Sequence, residues 1–191
     1  MRDEIKKILP DSAIRYITGL FYGWSGNYSS WEEAERKCTG YDSEIILRKV
    51  KDSALKVKQG QAAFERDSVM FYEPHYSKHL EKAVDILCNK KKAKLNIVDF
   101  GGSLGSTYFQ NRANIGDRIS GWCIIEQEGF VAEGKKNFEE GVLHFHNKIE
   151  NCIEKKAVDL LILSSVLQYI KDPYSLLDKL LEYKPTGVCP S

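Results

Sequence analysis

A glycine-rich segment is the clearest candidate for ligand binding in this sequence. It follows the short apolar run Leu95–Phe100 and contains Gly101, Gly102 and Gly105. Glycine lets a backbone turn tightly and approach a ligand closely, and the free N–H groups at the start of a following helix attract carboxylates or phosphates. The spacing differs from the G-x-G-x-x-G dinucleotide fingerprint, so it disfavours a nicotinamide-dependent oxidoreductase.

Two acidic residues stand where they can contact a ligand held by these glycines. Asp99 lies at the end of the apolar run, and its carboxylate can accept a hydrogen bond from a ligand ammonium or hydroxyl group. Glu126 closes a second apolar run, at the position where an acid in nucleotide-binding α/β folds holds the ribose hydroxyls. Glu128 is a nearby alternative, although Glu126 fits the strand end better.

The histidines offer proton-transfer chemistry more readily than metal binding. His75 and His79 are four residues apart, but no third ligand at a suitable spacing accompanies them, and we predict no metal site. His144 and His146 alternate and therefore face one side of a strand, where we expect a partly buried polar edge. The candidates for a catalytic base are His75 and Tyr72, although no sequence feature requires a base.

Four apolar runs predict an α/β fold with a parallel sheet. The runs at 95–100, 122–126, 142–146 and 158–163 alternate with segments of helical composition, the pattern of parallel strands joined by right-handed crossovers. Asp172-Pro173 predicts a helix start after the fourth run. Only residues 186–191 follow Pro185, so we predict that the sheet is truncated after strand four. That apolar edge then needs a cover, supplied by the N-terminal helices, a homo-oligomer or another partner.

The N-terminal part of the chain is predicted to differ in architecture. Residues 1–89 are expected to form a helical extension or lid without strands, residues 90–185 the sheet domain, and residues 186–191 a short tail. A capping box at Ser30 and Glu33 predicts a helix from Trp31 to about Cys38.

Three N-terminal segments have alternative interpretations. One aromatic group either lines an acceptor pocket or packs the extension onto the domain: Tyr22, Trp24, Tyr28 and Trp31. The segment 71–76 is a second candidate for the acceptor side. Glu65-Arg66-Asp67 is interpreted as a local ion-pair group.

Composition narrows the functional classes. The 28 basic and 27 acidic residues give a formal charge of +1, so there is no electrostatic case for a nucleic-acid partner. The five cysteines are odd in number and form no C-x-x-C pair, and we predict reduced thiols in a reducing compartment. No apolar run is long enough for a signal peptide or a membrane span, and the predicted location is cytoplasmic.

Taken together, these features resemble the S-adenosylmethionine-dependent methyltransferases of the Rossmann-like class. The residues from Leu163 to Pro173 read LSSVLQYIKDP, similar to the fourth-strand signature of that class. The sequence also resembles a methyltransferase family with a DFGGxLG motif that is associated with surface-polysaccharide gene clusters. Further matches lie at Phe21-Tyr22-Gly23, 28–31, Gly40-Tyr41-Asp42 and 64–68, and the resemblance covers about residues 20–185.

The resemblance implies S-adenosylmethionine as cofactor and a small-molecule or sugar hydroxyl or amine as methyl acceptor. It assigns the ribose to Glu126 and prefers glycine where this chain has Ser103. The remaining cofactor-binding residues are implied at the methionine end, beside the adenine and beneath the sulfonium: Asp99, Gly101, Gly102 and Gly105; Asn147, with Lys148; and Ser164 and Ser165. The alternative is a catalytically inactive methyltransferase-like fold that serves as a binding or interaction module.

Overall fold

The computed structural model describes residues 27–37, 44–153 and 157–190. The chain divides into two compact units, Met1–Gly40 and Tyr41–Ser191. The first unit contains helix α1 (Trp31–Glu35), which is shorter than predicted. The oxygen of Ser30 caps it as predicted, since it accepts a hydrogen bond from the N–H of Glu33 at 3.2 Å. Glu33 reaches back to Ser29 instead of Ser30.

The second unit alternates helices and strands along most of its length. In chain order its elements are α2 (Glu44–Lys58), β1 (Phe64–Arg66), β2 (Val69–Phe71), α3 (Lys78–Lys91), β3 (Leu95–Phe100), α4 (Ser106–Ile115), β4 (Ile119–Ile125), α5 (Glu128–Asn137), β5 (Leu143–His146), α6 (Glu150–Ile153), β6 (Leu160–Leu163), α7 (Pro173–Glu182) and β7 (Gly187–Pro190). The boundary proposed at residue 89 falls at the end of α3, inside this unit.

Five strands form one parallel sheet in the order β5-β4-β3-β6-β7. This is the 3-2-1-4-5 order of a Rossmann-like fold, and the four strands predicted from the apolar runs are confirmed. The chain runs outward from β3 to β5 and then returns to β6 on the other side of β3. The resulting switch point between β3 and β6 leaves a crevice at the carboxyl edge, where ligands of such folds bind.

The predicted truncation after strand four is wrong, because β7 pairs with β6 in parallel. Gly187 donates its N–H to the carbonyl of Asp159 at 3.0 Å, and Cys189 is buried in the core. This strand has four residues and contains both glycine and proline, which normally signal a loop; an edge strand tolerates a proline. Since β7 covers the edge of β6, no partner is needed there.

The prediction that residues 1–89 lack strands is also wrong. Strands β1 and β2 form an antiparallel hairpin whose turn residues Asp67 and Ser68 have φ values of 51° and 66°. Two consecutive positive φ values are the mark of a tight hairpin turn. Each strand has three residues, too few for alternation to be recognisable, and the stacked rings of Phe64 and Phe71, 4.6 Å apart, join them.

The two faces of the sheet are covered unequally. On the first face, helices α2, α3, α4 and α5 bury a large apolar core centred on Trp122, Ile124 and Phe145. The second face carries a smaller cluster, in which α7 contributes Leu180 and the short α6 covers part of β4. No helix in the described ranges has both the length and the apolar character to cross a bilayer.

One cysteine pair departs from the predicted reduced state. A disulfide joins Cys123 of β4 to Cys152 of α6, 29 residues further along the chain. The sequence offered no C-x-x-C signal because the pairing arises from the packing of α6 on the sheet. Cys88 and Cys189 are free thiols, and Cys38 lies outside the described residues.

Gly134 lets α5 pack closely against β5. A Cβ at this position would lie 2.4 Å from the ring of Phe145, which is fully buried. We expect Gly134→Ala to lower the free energy of unfolding by about 2 kcal/mol, the usual cost of overpacking a core. Denaturant unfolding measures this value. The control is Gly116→Ala, because a Cβ there meets nothing within 4 Å; equal losses in the two variants would contradict the prediction.

Candidate cofactor site

The glycine turn and Glu126 lie side by side at the carboxyl edge of the sheet. The N–H of Ser103 donates to Glu126 Oε1 at 3.1 Å, and the N–H of Gly101 donates to the carbonyl of Ile125 at 2.9 Å. These bonds hold the turn after β3 against the end of β4. The sequence-predicted acid and the glycines therefore meet at one place in the fold.

Backbone conformation explains the glycine at position 101. Gly101 has a φ of 74°, in the left-handed region that favours glycine. A Cβ on this residue would lie 2.5 Å from the Val166 side chain, so the turn also packs against the loop that follows β6. Ser103 adopts a φ of 55° with a side chain present, at the position where the family resemblance implies glycine.

Side chains beneath the turn lie close to Gly102 and Gly105. A Cβ on Gly105 would contact the ring of Phe109 at 3.1 Å, and one on Gly102 would lie 2.7 Å from the carboxyl carbon of Asp99. Small residues at both positions let the turn lie close to the sheet. Gly105 precedes α4 and has no side chain to cap it, which leaves the N–H groups of that helix to other partners.

The carboxyl group of Asp99 is enclosed beneath this turn. Its Oδ2 accepts a hydrogen bond from Trp122 Nε1 at 3.3 Å, whereas its buried Oδ1 has no hydrogen-bond partner among the described residues. Burial, with a smaller contribution from the negative charge of Glu126, raises the pKa of Asp99 to about 7. Such an incompletely satisfied buried acid is unusual, and it is characteristic of functional sites.

Glu126 keeps hydrogen-bonding capacity beyond its contacts with the protein. Its Oε2 accepts from the N–H of Gln127 at 2.9 Å, so each carboxylate oxygen has one backbone donor. An ionised carboxylate offers about four acceptor positions, and two remain for other donors. Burial raises the pKa of Glu126 despite these two hydrogen bonds, which lower it.

The other predicted cofactor residues follow β5 and β6 at the same edge. The N–H of Glu126 donates to the carbonyl of His146 at 3.1 Å. Asn147 and Lys148, which follow His146 and are exposed, therefore lie next to the end of β4. After β6, Ser164 is half-buried, and Ser165 is exposed with a φ of 51°.

Glu65 is a buried acid that the sequence interpretation assigned to a local ion-pair group. Its side chain reaches α4, where it accepts a hydrogen bond from the hydroxyl of Ser106, the first helical residue after the glycine turn. It also accepts from the N–H of Ser68 at 3.1 Å. Burial raises the pKa of Glu65. Its contact with α4 depends on the β1–β2 hairpin, so the sequence carried no signal for it.

The segment before α3 also docks on α4. Gln110 Nε2 donates to the carbonyl of His75 at 2.6 Å, and the N–H of Ser77 donates to Asn111 Oδ1 at 2.8 Å. The side chains of the two base candidates, Tyr72 and His75, are exposed. In the first unit Tyr28 and Trp31 are each 39% exposed, while Tyr22 and Trp24 lie outside the described residues.

The solved structures that match this chain include two methyltransferases. The bifunctional kinase-methyltransferase WbdD matches with a TM-score of 0.42 and 20% sequence identity, over 58% of this chain and 26% of WbdD. Magnesium protoporphyrin IX methyltransferase (ChlM) from Synechocystis PCC 6803, with bound SAM, matches with a TM-score of 0.37 and 12% identity, over 92% of this chain and 72% of ChlM. No family model and no curated protein sequence matches the chain. The matched region thus spans about a quarter of WbdD.

Proposed function

We propose that this protein is an S-adenosylmethionine-dependent methyltransferase that acts on a hydroxyl or amine of a small molecule or sugar. The observation that carries the proposal is the hydrogen-bonded contact between the glycine turn and Glu126. It lies at the carboxyl edge of a Rossmann-like sheet, beside the switch point. The proposed role in surface-polysaccharide biosynthesis rests on the family resemblance alone.

The residues of this edge fit the cofactor chemically. S-adenosylmethionine brings a ribose with two adjacent hydroxyls, and Glu126 has acceptor positions for both. The cofactor also brings an ammonium and a sulfonium, so it is cationic at that end. The buried Asp99, with Oδ1 unsatisfied among the described residues, supplies a carboxyl group directly beneath the turn that would face that end.

The activated methyl group is the chemistry that the cofactor supplies when bound. The work of the chain is then to orient it toward an acceptor and to exclude water. We assign the ribose to Glu126, the methionine end to the turn from Gly101 to Gly105, the adenine side to Asn147 with Lys148, and the floor beneath the sulfonium to Ser164 and Ser165. His75 or Tyr72 is the candidate to take the proton that leaves the acceptor.

Isothermal titration of the purified protein with S-adenosylhomocysteine tests the binding step. We expect saturable heat at micromolar ligand and none with NAD⁺ at the same concentration, because the glycine spacing lacks the dinucleotide fingerprint. No heat with S-adenosylhomocysteine at high micromolar concentration would contradict the proposal. Preference for NAD⁺ would indicate an oxidoreductase instead.

Turnover separates the enzyme from the alternative, a binding or interaction module that has lost catalysis. The protein is incubated with S-adenosylmethionine and a panel of sugars and small amines, and released S-adenosylhomocysteine is quantified. Release that depends on an acceptor supports the enzyme. Tight cofactor binding without release for any acceptor in the panel would favour the module.

A further inference from the structure

The second face of the sheet contains a cavity with metal-binding chemistry, apart from the residues of the proposed cofactor site. Its volume is about 280 Å³. The cavity lies where the short α6 leaves β4 and β5 partly uncovered, and its walls combine apolar and polar side chains. Among the lining residues are Val98, Cys123, His144, His146, Cys152 and Val158. The turn residues Gly101 to Gly105 and Glu126 are not among the described residues that line it.

Strand register explains why the side chains of Cys123 and His146 lie close together. Cys123 pairs with His144 across the β4–β5 ladder, so both side chains point to the same face. His146 lies two residues further along β5 and therefore shares that face. Helix α6 begins four residues later and carries Cys152 over the same part of the sheet. Three side chains from three elements thus converge.

The three side chains offer a compact set of metal ligands. The Sγ atoms of Cys123 and Cys152 and a ring nitrogen of His146 all lie within 4.8 Å of one another. Tetrahedral zinc, with Zn–S distances of about 2.3 Å and Zn–N distances of about 2.1 Å, separates its ligand atoms by roughly 3.5–4 Å. Small side-chain adjustments therefore suffice to bring all three atoms to one ion.

We propose that Cys123, Cys152 and His146 bind a zinc-like cation when the cysteine pair is reduced, and that the disulfide is the metal-free form of the same site. Thiolate and imidazole ligands select zinc and similar borderline or soft ions over magnesium or calcium. Three protein ligands leave a fourth coordination position, which the adjoining cavity makes accessible to water or a small ligand.

The exchange between the two forms balances with a low-molecular-weight disulfide as the oxidant. The thiolate of one cysteine attacks that disulfide, forms a mixed disulfide and releases one small thiolate. The thiolate of the other cysteine then attacks the mixed disulfide, closes the Cys123–Cys152 bond and releases the second small thiolate. The two protein thiolates have been oxidised, the added disulfide has been reduced, and the cation leaves because its sulfur ligands have lost their charge.

Cobalt titration of the protein tests the site. The protein is reduced with a phosphine, the phosphine is removed without air, and Co²⁺ is added while thiolate-to-cobalt charge-transfer absorption is recorded. We expect one Co²⁺ per chain in the reduced protein. Cys123→Ser and Cys152→Ser should each abolish the high-affinity charge-transfer band. His146→Asn should weaken Co²⁺ binding about a hundredfold, because the site has few ligands and each contributes a large part of the binding free energy.

Two matched variants control for nonspecific effects. His144 lines the same cavity but is outside the three-ligand cluster, so His144→Asn should bind Co²⁺ like the wild type. Cys88 is a free thiol elsewhere, and Cys88→Ser should also leave binding unchanged. Circular dichroism of each variant establishes that it is folded. If Cys123→Ser does not fold, Cys152→Ser still tests the site, because Cys152 is only half-buried.

Oxidation provides the second readout. Adding oxidised glutathione to the Co²⁺-loaded protein should release the metal in step with the loss of two titratable thiols. The proposal is overturned if the reduced wild type shows no charge-transfer band, or if folded Cys123→Ser and Cys152→Ser variants bind like the wild type. Unchanged binding in His146→Asn would remove that residue from the ligand set, and metal retention after disulfide formation would overturn the exchange. None of these results depends on S-adenosylmethionine binding.

Discussion

Replacing Glu126 with glutamine is expected to weaken S-adenosylhomocysteine binding about a hundredfold. The carboxylate sits at the end of β4, against the glycine turn, and we assign it the two ribose hydroxyls. Hydrogen bonds to a charged group contribute about 1.5–3 kcal/mol, and a factor of ten in affinity corresponds to about 1.4 kcal/mol. Glutamine keeps the shape but loses the charge and one acceptor oxygen. Isothermal titration measures the affinity of both proteins.

Glu128 supplies the matched control for this substitution. It is an exposed acid two residues away, at the start of α5, and Glu128→Gln should bind S-adenosylhomocysteine like the wild type. Glu126 also accepts the N–H groups of Ser103 and Gln127, so thermal unfolding of Glu126→Gln must accompany the titration. A folded variant with wild-type affinity would remove Glu126 from the ribose site; weakening by Glu128→Gln alone would transfer that role to Glu128.

Substituting Asp99 with asparagine is expected to remove a large pH dependence of stability. The pKa of Asp99 is raised from its ordinary value of 3.8 to about 7, chiefly by burial. Between pH 4 and pH 7 the folded protein therefore holds a proton that the unfolded chain has released. Because the folded state binds more protons, raising the pH across this range lowers the free energy of unfolding, by about 1.4 kcal/mol per pH unit for a single group.

The measurement is denaturant unfolding of wild type and Asp99→Asn from pH 4 to pH 8. Asparagine does not titrate. The free energy of unfolding of Asp99→Asn, relative to that of the wild type, should therefore rise with pH, by up to about 4 kcal/mol at pH 8. Glu65 and Glu126 also have raised pKa values and act in the same direction, but they are present in both proteins.

Asp117→Asn is the control for the pH series. Its side chain is 87% exposed, and its ion pair with Arg118 is 3.9 Å long, so its pH profile should match that of the wild type. Parallel profiles for Asp99→Asn and wild type would mean that folding leaves the pKa of Asp99 near its ordinary value, which would contradict the prediction.

The helices cover the two faces of the sheet unequally, and this difference helps to explain where the two proposed sites lie. The first face is covered by four helices and carries the main core, and the turn that contacts Glu126 lies at the carboxyl edge of the same strands. The second face has only α6 and α7 over it among the described elements, and the space left beside α6 is the cavity with the cysteine pair. A disulfide there joins α6 to β4, and a bound cation would join α6 to β5 as well.

Local patterns were sufficient to predict much of the carboxyl edge of the sheet from the sequence. The apolar runs predicted β3, β4, β5 and β6, and Asp172 caps α7 as its position before Pro173 indicated, with Oδ1 accepting the N–H of Ser175 at 3.1 Å. Parallel strands end at the same edge of a sheet. The run that ends at Phe100, just before the glycines, and the run that ends at Glu126 therefore had to bring the glycine turn and the acid close together.

Only the tertiary structure showed contacts between residues far apart in the sequence, and strands whose own residues are typical of loops. β7 contains glycine and proline, and it is a strand because β6 offers it an open edge. The bond from Ser106 to Glu65 spans 41 residues, and the disulfide spans 29. Composition and periodicity report which face of an element is buried, but not which distant side chains share that burial. The glycine turn could therefore be predicted from its own residues, whereas the cluster of Cys123, His146 and Cys152 emerged only once α6 was packed on the sheet.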